Sequence, residues 1–134
     1  MYLLDKDYNV YVDTTILGRH DPNAPKKTYI CYVVDGIDQL KGVKEITAQE
    51  TDDAECEAVL FAISKLKGKL KQFTIFCDHQ SVVSEAKRDT PTRNPLIVEI
   101  RKELANSKIR LEEFPTNPAH TLLNKYLANE ANLP

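Results

Sequence analysis

The sequence predicts an α/β domain, a mixed β-sheet with helices on its faces. Three observations carry that prediction. Residues 9 to 47 contain three runs rich in β-branched and aromatic residues, joined by short turns. From Thr51 the apolar period changes to that of a helix. Beyond it, strand-like and helix-like segments alternate, the order of a sheet that helices cover.

The first strand is "NVYVDTTIL", residues 9 to 17. "GRHDPNAPKK" follows as a turn segment, marked by Gly18, Pro22, Asn23 and Pro25. "TYICYVVD", residues 28 to 35, is the second strand, and Gly36 and Asp38 make the next turn. A third strand runs through residues 39 to 47. Connections this short join antiparallel neighbours, so these three form a meander.

"TDDAECEAVLFAISKLKGK" then places apolar residues at 58, 59, 62, 63 and 66, which is helical spacing. Thr51, Asp52 and Asp53 are candidate caps, and Gly68 is the expected stop. "FTIFC" is a strand, residues 80 to 87 a short helix, and "RDTPTRNP" a loop. Pro95 suits the first position of the next helix, "LIVEIRKELANS". The strand "KIRLEEF" and a last helix, "TLLNKYLANEA", complete the order β-β-β-α-β-α-α-β-α.

At 134 residues the chain fits one domain, residues 1 to 134, with enough length for a real core. Its 42% hydrophobic and 28% charged content is an ordinary globular balance. No apolar run approaches the ~18 residues of a membrane-crossing helix, and "MYLLDKDYN" lacks the features of a secretory leader. The expected compartment is the cytosol and the expected state a monomer. Cys31, Cys56 and Cys77 all lie in apolar elements without a CxxC pair, so they read as buried reduced thiols. A net charge of −2 argues against a dedicated electrostatic nucleic-acid binder. The lysines of "SKLKGKLKQ" read as a solvated face.

Three carboxylates stand where carboxylates are costly. Asp13 lies inside the first strand, between Val12 and Thr14. Burying it without a partner would be unfavourable. Glu55 shares a helix face with Val59, Ala62 and Leu66, the core face, whereas Glu57 falls with Phe61 and Ser64 on the flank. Asp78 ends the strand "FTIFC"; a helix cap is its plain role, but strand ends of open α/β sheets also face the crevice where ligands bind. Such carboxylates suit a hard divalent cation such as Mg²⁺.

Four stretches bear a resemblance to type 1 ribonuclease H. "YVDTTI" is similar to that family's first-strand segment, with Thr14-Thr15 where Gly-Ser is usual. "TDDAECEAVLFAI" resembles the first-helix segment, "FCDHQSVV" the fourth-strand segment and "LANEA" the ending of the last helix. The resemblance implies a five-stranded mixed sheet of order 3-2-1-4-5 flanked by helices, in the compact form that lacks a basic protrusion. It implies that Asp13, Glu55 and Asp78 converge at the sheet's crest and bind Mg²⁺, or Mn²⁺ in its place. The activity it implies is two-metal-ion hydrolysis of the RNA strand of an RNA–DNA hybrid.

Thr14, Thr15, His79, Gln80, His120 and Lys125 are the substrate-contact candidates on the same grounds. The resemblance implies for His120 the role of a loop histidine that assists product release; by its position alone it reads as an exposed histidine at a helix start. Where the family has a fourth acidic residue this chain has Lys125, and Asn124 is the nearest alternative metal ligand, through its amide oxygen. Lys125 also supports a second expectation, a noncatalytic module of the same fold that binds nucleic acid or protein.

Overall fold

In the computed structural model, which describes residues 7–17, 23, 27–47 and 50–113, the elements follow the expected order. They are β1 (Tyr8–Leu17), β2 (Lys27–Val34), β3 (Ile37–Ile46), α1 (Thr51–Leu66), β4 (Gln72–Cys77), α2 (Gln80–Lys87), α3 (Pro95–Asn106) and β5 (Lys108–Glu113). The expected last helix lies outside the described residues.

The strands form one sheet in the order β3-β2-β1-β4-β5. Short connections make the first three antiparallel, with Asp13 opposite Cys31 and Cys31 opposite Val43. Asp35 and Gly36 turn the chain between β2 and β3. Gly36 has a φ of 88°, a region that a residue with a Cβ enters only with strain. The helical crossovers make β4 parallel to β1, and β5 parallel to β4. Strand β1 is therefore central, antiparallel to one neighbour and parallel to the other.

Alternation along the strands sorts the residues between two faces. Val10, Val12, Ile30, Tyr32, Phe73, Ile75 and Leu111 join the main core with residues of all three described helices. Helix α1 contributes Val59, Ala62 and Leu66 to it, each fully buried, as the helical spacing predicts. The other face carries a smaller cluster of Tyr29 and Cys31, packed by Tyr11, Val33 and Val43. The three cysteines are buried and free, in agreement with their expected reduced state.

Helix ends depart from the expected signals in three places. The N-cap of α1 is Glu50, one residue before Thr51, and its side chain makes no cap bond. The helix stops at Lys67 in the right-handed region, so Gly68 does not supply a left-handed C-terminal turn. The N-cap of α2 is His79, again without a side-chain cap bond, which leaves Asp78 one residue outside that helix. Helix α3 obeys the rule: Asn94 accepts from the Leu96 N–H at 2.9 Å, and Pro95 opens the helix.

Candidate metal centre

The parallel pairing of β1 with β4 ends at Tyr11 and Phe76. Beyond that row β1 continues beside β2 alone, while β4 ends and the chain turns toward α2. This is a topological switch point at the carboxyl end of β4, the place where open α/β sheets form a ligand crevice. Asp13 and Asp78 stand two residues past the last paired row, one on each strand's path. The second turn of α1 brings Glu55 to the same end.

Asp13 is only 5% exposed, at the centre of the sheet and not at an edge. Its strand position pairs it with Cys31, whose thiol is pushed up to about 12 by burial and then by the Asp13 charge. Glu55 is 4% exposed. Burial pushes its carboxyl up to about 7; a hydrogen bond from Cys77 and the nearby His79 oppose the rise, and the charges of Asp78 and Asp13 add to it. Asp78 itself is exposed.

The Cys77 thiol donates to Glu55 Oε2 at 3.1 Å, and the His79 N–H donates to Cys77 Sγ at 3.4 Å. Burial, and then the Glu55 charge, hold that thiol protonated far above its ordinary range. Outside this pair, His79 Nε2 bonds Asp52 Oδ1, and Ser81 Oγ approaches the same oxygen at 3.5 Å.

Glu55, Cys77 and Asp78 offer ligand atoms that all lie within 4.8 Å of one another. Asp13 is not in that group, but it is close enough for its charge to act on Glu55. The charges of Asp78 and Asp13 make ionising buried Glu55 harder, so a negative charge on Glu55 is unfavourable there. A divalent cation would reverse that balance, and the carboxylate oxygens are the donors that Mg²⁺ or Mn²⁺ takes. The residues therefore fit a hard cation, with one soft thiol beside it.

The other expected residues separate into two groups. Thr14 and Thr15 follow Asp13 on β1, half-buried, and Thr14 Oγ1 has no hydrogen-bond partner among the described residues. Gln80 is exposed at the start of α2, and His79, expected to contact substrate, is bonded to Asp52. His120, Asn124 and Lys125 lie outside the described residues. Sequence reasoning passed over Cys77 and Asp52. Their signals were there: Cys77 precedes Asp78 on the buried strand, and Asp52 lies three residues before Glu55 on the same side of α1.

No protein-family model matches the chain, and no curated protein sequence does. Solved structures do. RNase H1 from the halophilic archaeon Halobacterium salinarum superposes with a TM-score of 0.63 at 18% identity, covering 82% of this chain and 86% of that one. LC11-RNase H1 in complex with an RNA/DNA hybrid gives 0.60 at 15% identity, over 81% of this chain and 86% of that one. The PFV RNase H domain gives 0.63 at 15% identity, over 83% and 80%. Likeness of backbone at such low identity speaks to architecture: the chain has the ribonuclease H-like fold, a five-stranded mixed sheet of order 3-2-1-4-5.

Proposed function

We propose that this protein is a metal-dependent endoribonuclease that hydrolyses the RNA strand of RNA–DNA hybrids. The observation that carries the reading is the convergence of Glu55 and Asp78 at the β1–β4 switch point, with Asp13 buried beside them. Buried carboxylates such as Asp13 and Glu55 have a reason when a cation neutralises them. The fold supports the reading, and one solved neighbour of that fold holds an RNA/DNA hybrid.

In this proposal Asp13, Glu55 and Asp78 hold Mg²⁺ or Mn²⁺. The bound metal supplies an activated water and stabilises charge on the leaving oxygen of a phosphodiester. The protein's own part is placement. Buried Glu55 is held by its thiol bond, while exposed Asp78 is open to solvent. Thr14, Thr15 and Gln80 offer hydroxyl and amide groups near that point for the sugar–phosphate backbone. An open groove of about 370 Å³ lies between α2, from Gln80 to Arg88, and Glu112 and Glu113 at the end of β5.

Lys125, at the position where the resemblance expects a fourth acid, favours a second reading: a module of this fold that binds without cutting. Cleavage of a labelled RNA–DNA hybrid in Mg²⁺ and in Mn²⁺ separates the two. The nuclease reading expects cleavage that needs the metal and disappears in Asp13→Asn. Binding of the hybrid without metal-dependent cleavage overturns it in favour of the second.

A further inference from the structure

Two contacts tie the first two turns of α1 to the β4–α2 turn. The inner one is Cys77 Sγ to Glu55 Oε2 at 3.1 Å, and the outer one is His79 Nε2 to Asp52 Oδ1. Asp52 and Glu55 are three residues apart and therefore share one side of α1. Cys77 and His79 are two residues apart and bracket Asp78. The two contacts are also joined to each other, because the His79 N–H donates to Cys77 Sγ at 3.4 Å. Ser81 adds a third approach to Asp52.

The helix ends agree with this arrangement. Neither α1 nor α2 has a side-chain cap bond from its N-cap residue: Glu50 makes none for α1, and His79 makes none for α2, its ring being bonded to Asp52 in the first turn of α1. Asp52 and His79 are thus engaged with each other across the gap between the helices. By contrast α3, which has no such partner, takes an ordinary Asn94 cap.

We infer that Asp52 and His79 are positioning residues: with the Glu55–Cys77 bond they form a two-rung clamp that sets the separation of Glu55 and Asp78. Neither would touch the cation or the substrate. His79 holds the outer rung while its backbone supports the inner one. Asp52 anchors that rung to the helix that carries Glu55. The metal part of the inference rests on the divalent-cation reading of the crest.

The test uses Mn²⁺ alone as probe, titrated calorimetrically into the whole chain and into His79→Ala, Asp52→Ala and the double variant. Each single change is expected to weaken binding about tenfold, as losses around a metal's ligands do. The double variant should be no weaker than either single one, since both remove the same rung. His79→Gln, which keeps a side-chain donor, should recover most of the affinity. Glu103→Gln removes an exposed ion pair at the far end of α1 and should change nothing. Unchanged affinity in the single variants overturns the clamp.

A wild-type chain that binds no Mn²⁺ would instead remove the divalent-cation reading. The clamp is then decided by amide exchange in the metal-free protein. Faster exchange at residues 54–58 in both single variants, and no faster in the double variant, upholds it. Exchange equal to wild type overturns it.

Discussion

The two ends of the sheet treat charge in opposite ways. At the amino ends of β4 and β5, Lys65, Lys67, Lys69, Lys71 and Lys108 are all exposed. Lys67, Lys71 and Lys108 line one shallow groove there, and Lys67 reaches Glu103 of α3 at 3.2 Å. At the other end of the sheet, Asp13 and Glu55 are almost fully buried, and Glu55 lies within electrostatic reach of both Asp13 and Asp78. Water solvates the lysines, and their number specifies little about the fold. The carboxylates receive no such help. Density of charge is thus a poor guide to a working site, and charge held out of water is a better one.

On the proposed nuclease reading, the largest effect separating the ends is on chemistry. Asp78→Asn or Glu55→Gln should lower metal-dependent kcat/KM on a hybrid by ~100-fold or more, since even groups around a metal's ligands cost 10–100-fold. Equal losses from changes among the basic-end lysines would erase the distinction.

Next comes pH. A carboxyl raised from 4.5 to about 7 binds its proton more tightly in the folded state than in the unfolded one. Its contribution to stability is complete below about pH 4.5 and is lost as pH rises through 7, a change of about 3 kcal/mol. Chemical denaturation of the metal-free protein should show this decline, and Glu55→Gln should remove it. A divalent cation should counter it above pH 7.

Asn94→Ala tests a helix end that follows the ordinary rule, and should cost about 1 kcal/mol of unfolding free energy with hybrid cleavage per folded molecule unchanged. Glu103→Gln is the smallest, within about 0.5 kcal/mol in thermal or denaturant melts, because its partner Lys67 is more than half exposed. A larger loss would mean that the basic end is more than a solvated surface.

Much of this was legible in the sequence because the signals were local. Strand runs, the change of period at Thr51 and Pro95 each report on neighbouring residues, and β1 to β5 and α1 to α3 appear where those signals lie. Glu55 could be read as inward from its spacing to Val59, Ala62 and Leu66, all buried. Which carboxylates would meet could not be read that way, since Asp13, Glu55 and Asp78 lie on three separate elements. The caps misled for a related reason. Asp52 looked like a local cap, but its partner is His79, far along the chain. A side chain with a tertiary partner leaves no trace in its own neighbourhood.

The seam between β1 and β4 also has a temporal meaning. β1 meets β2 through a short excursion of chain, whereas Tyr11 and Phe76 face each other across half the sequence. Closing the longer loop costs more entropy before any contact rewards it. The meander of β1, β2 and β3 is therefore expected to form ahead of the seam, and the carboxylates to come together only as the seam closes. The cost of burying an ionised Glu55 beside Asp78 and Asp13 then acts on the native side of the folding barrier. In the metal-free protein, Glu55→Gln should slow unfolding and leave the folding rate nearly unchanged. The cost of ionising buried Glu55, set by burial first and by the charges of Asp78 and Asp13 after it, would thus bear on how long the protein stays folded and little on how quickly it gets there.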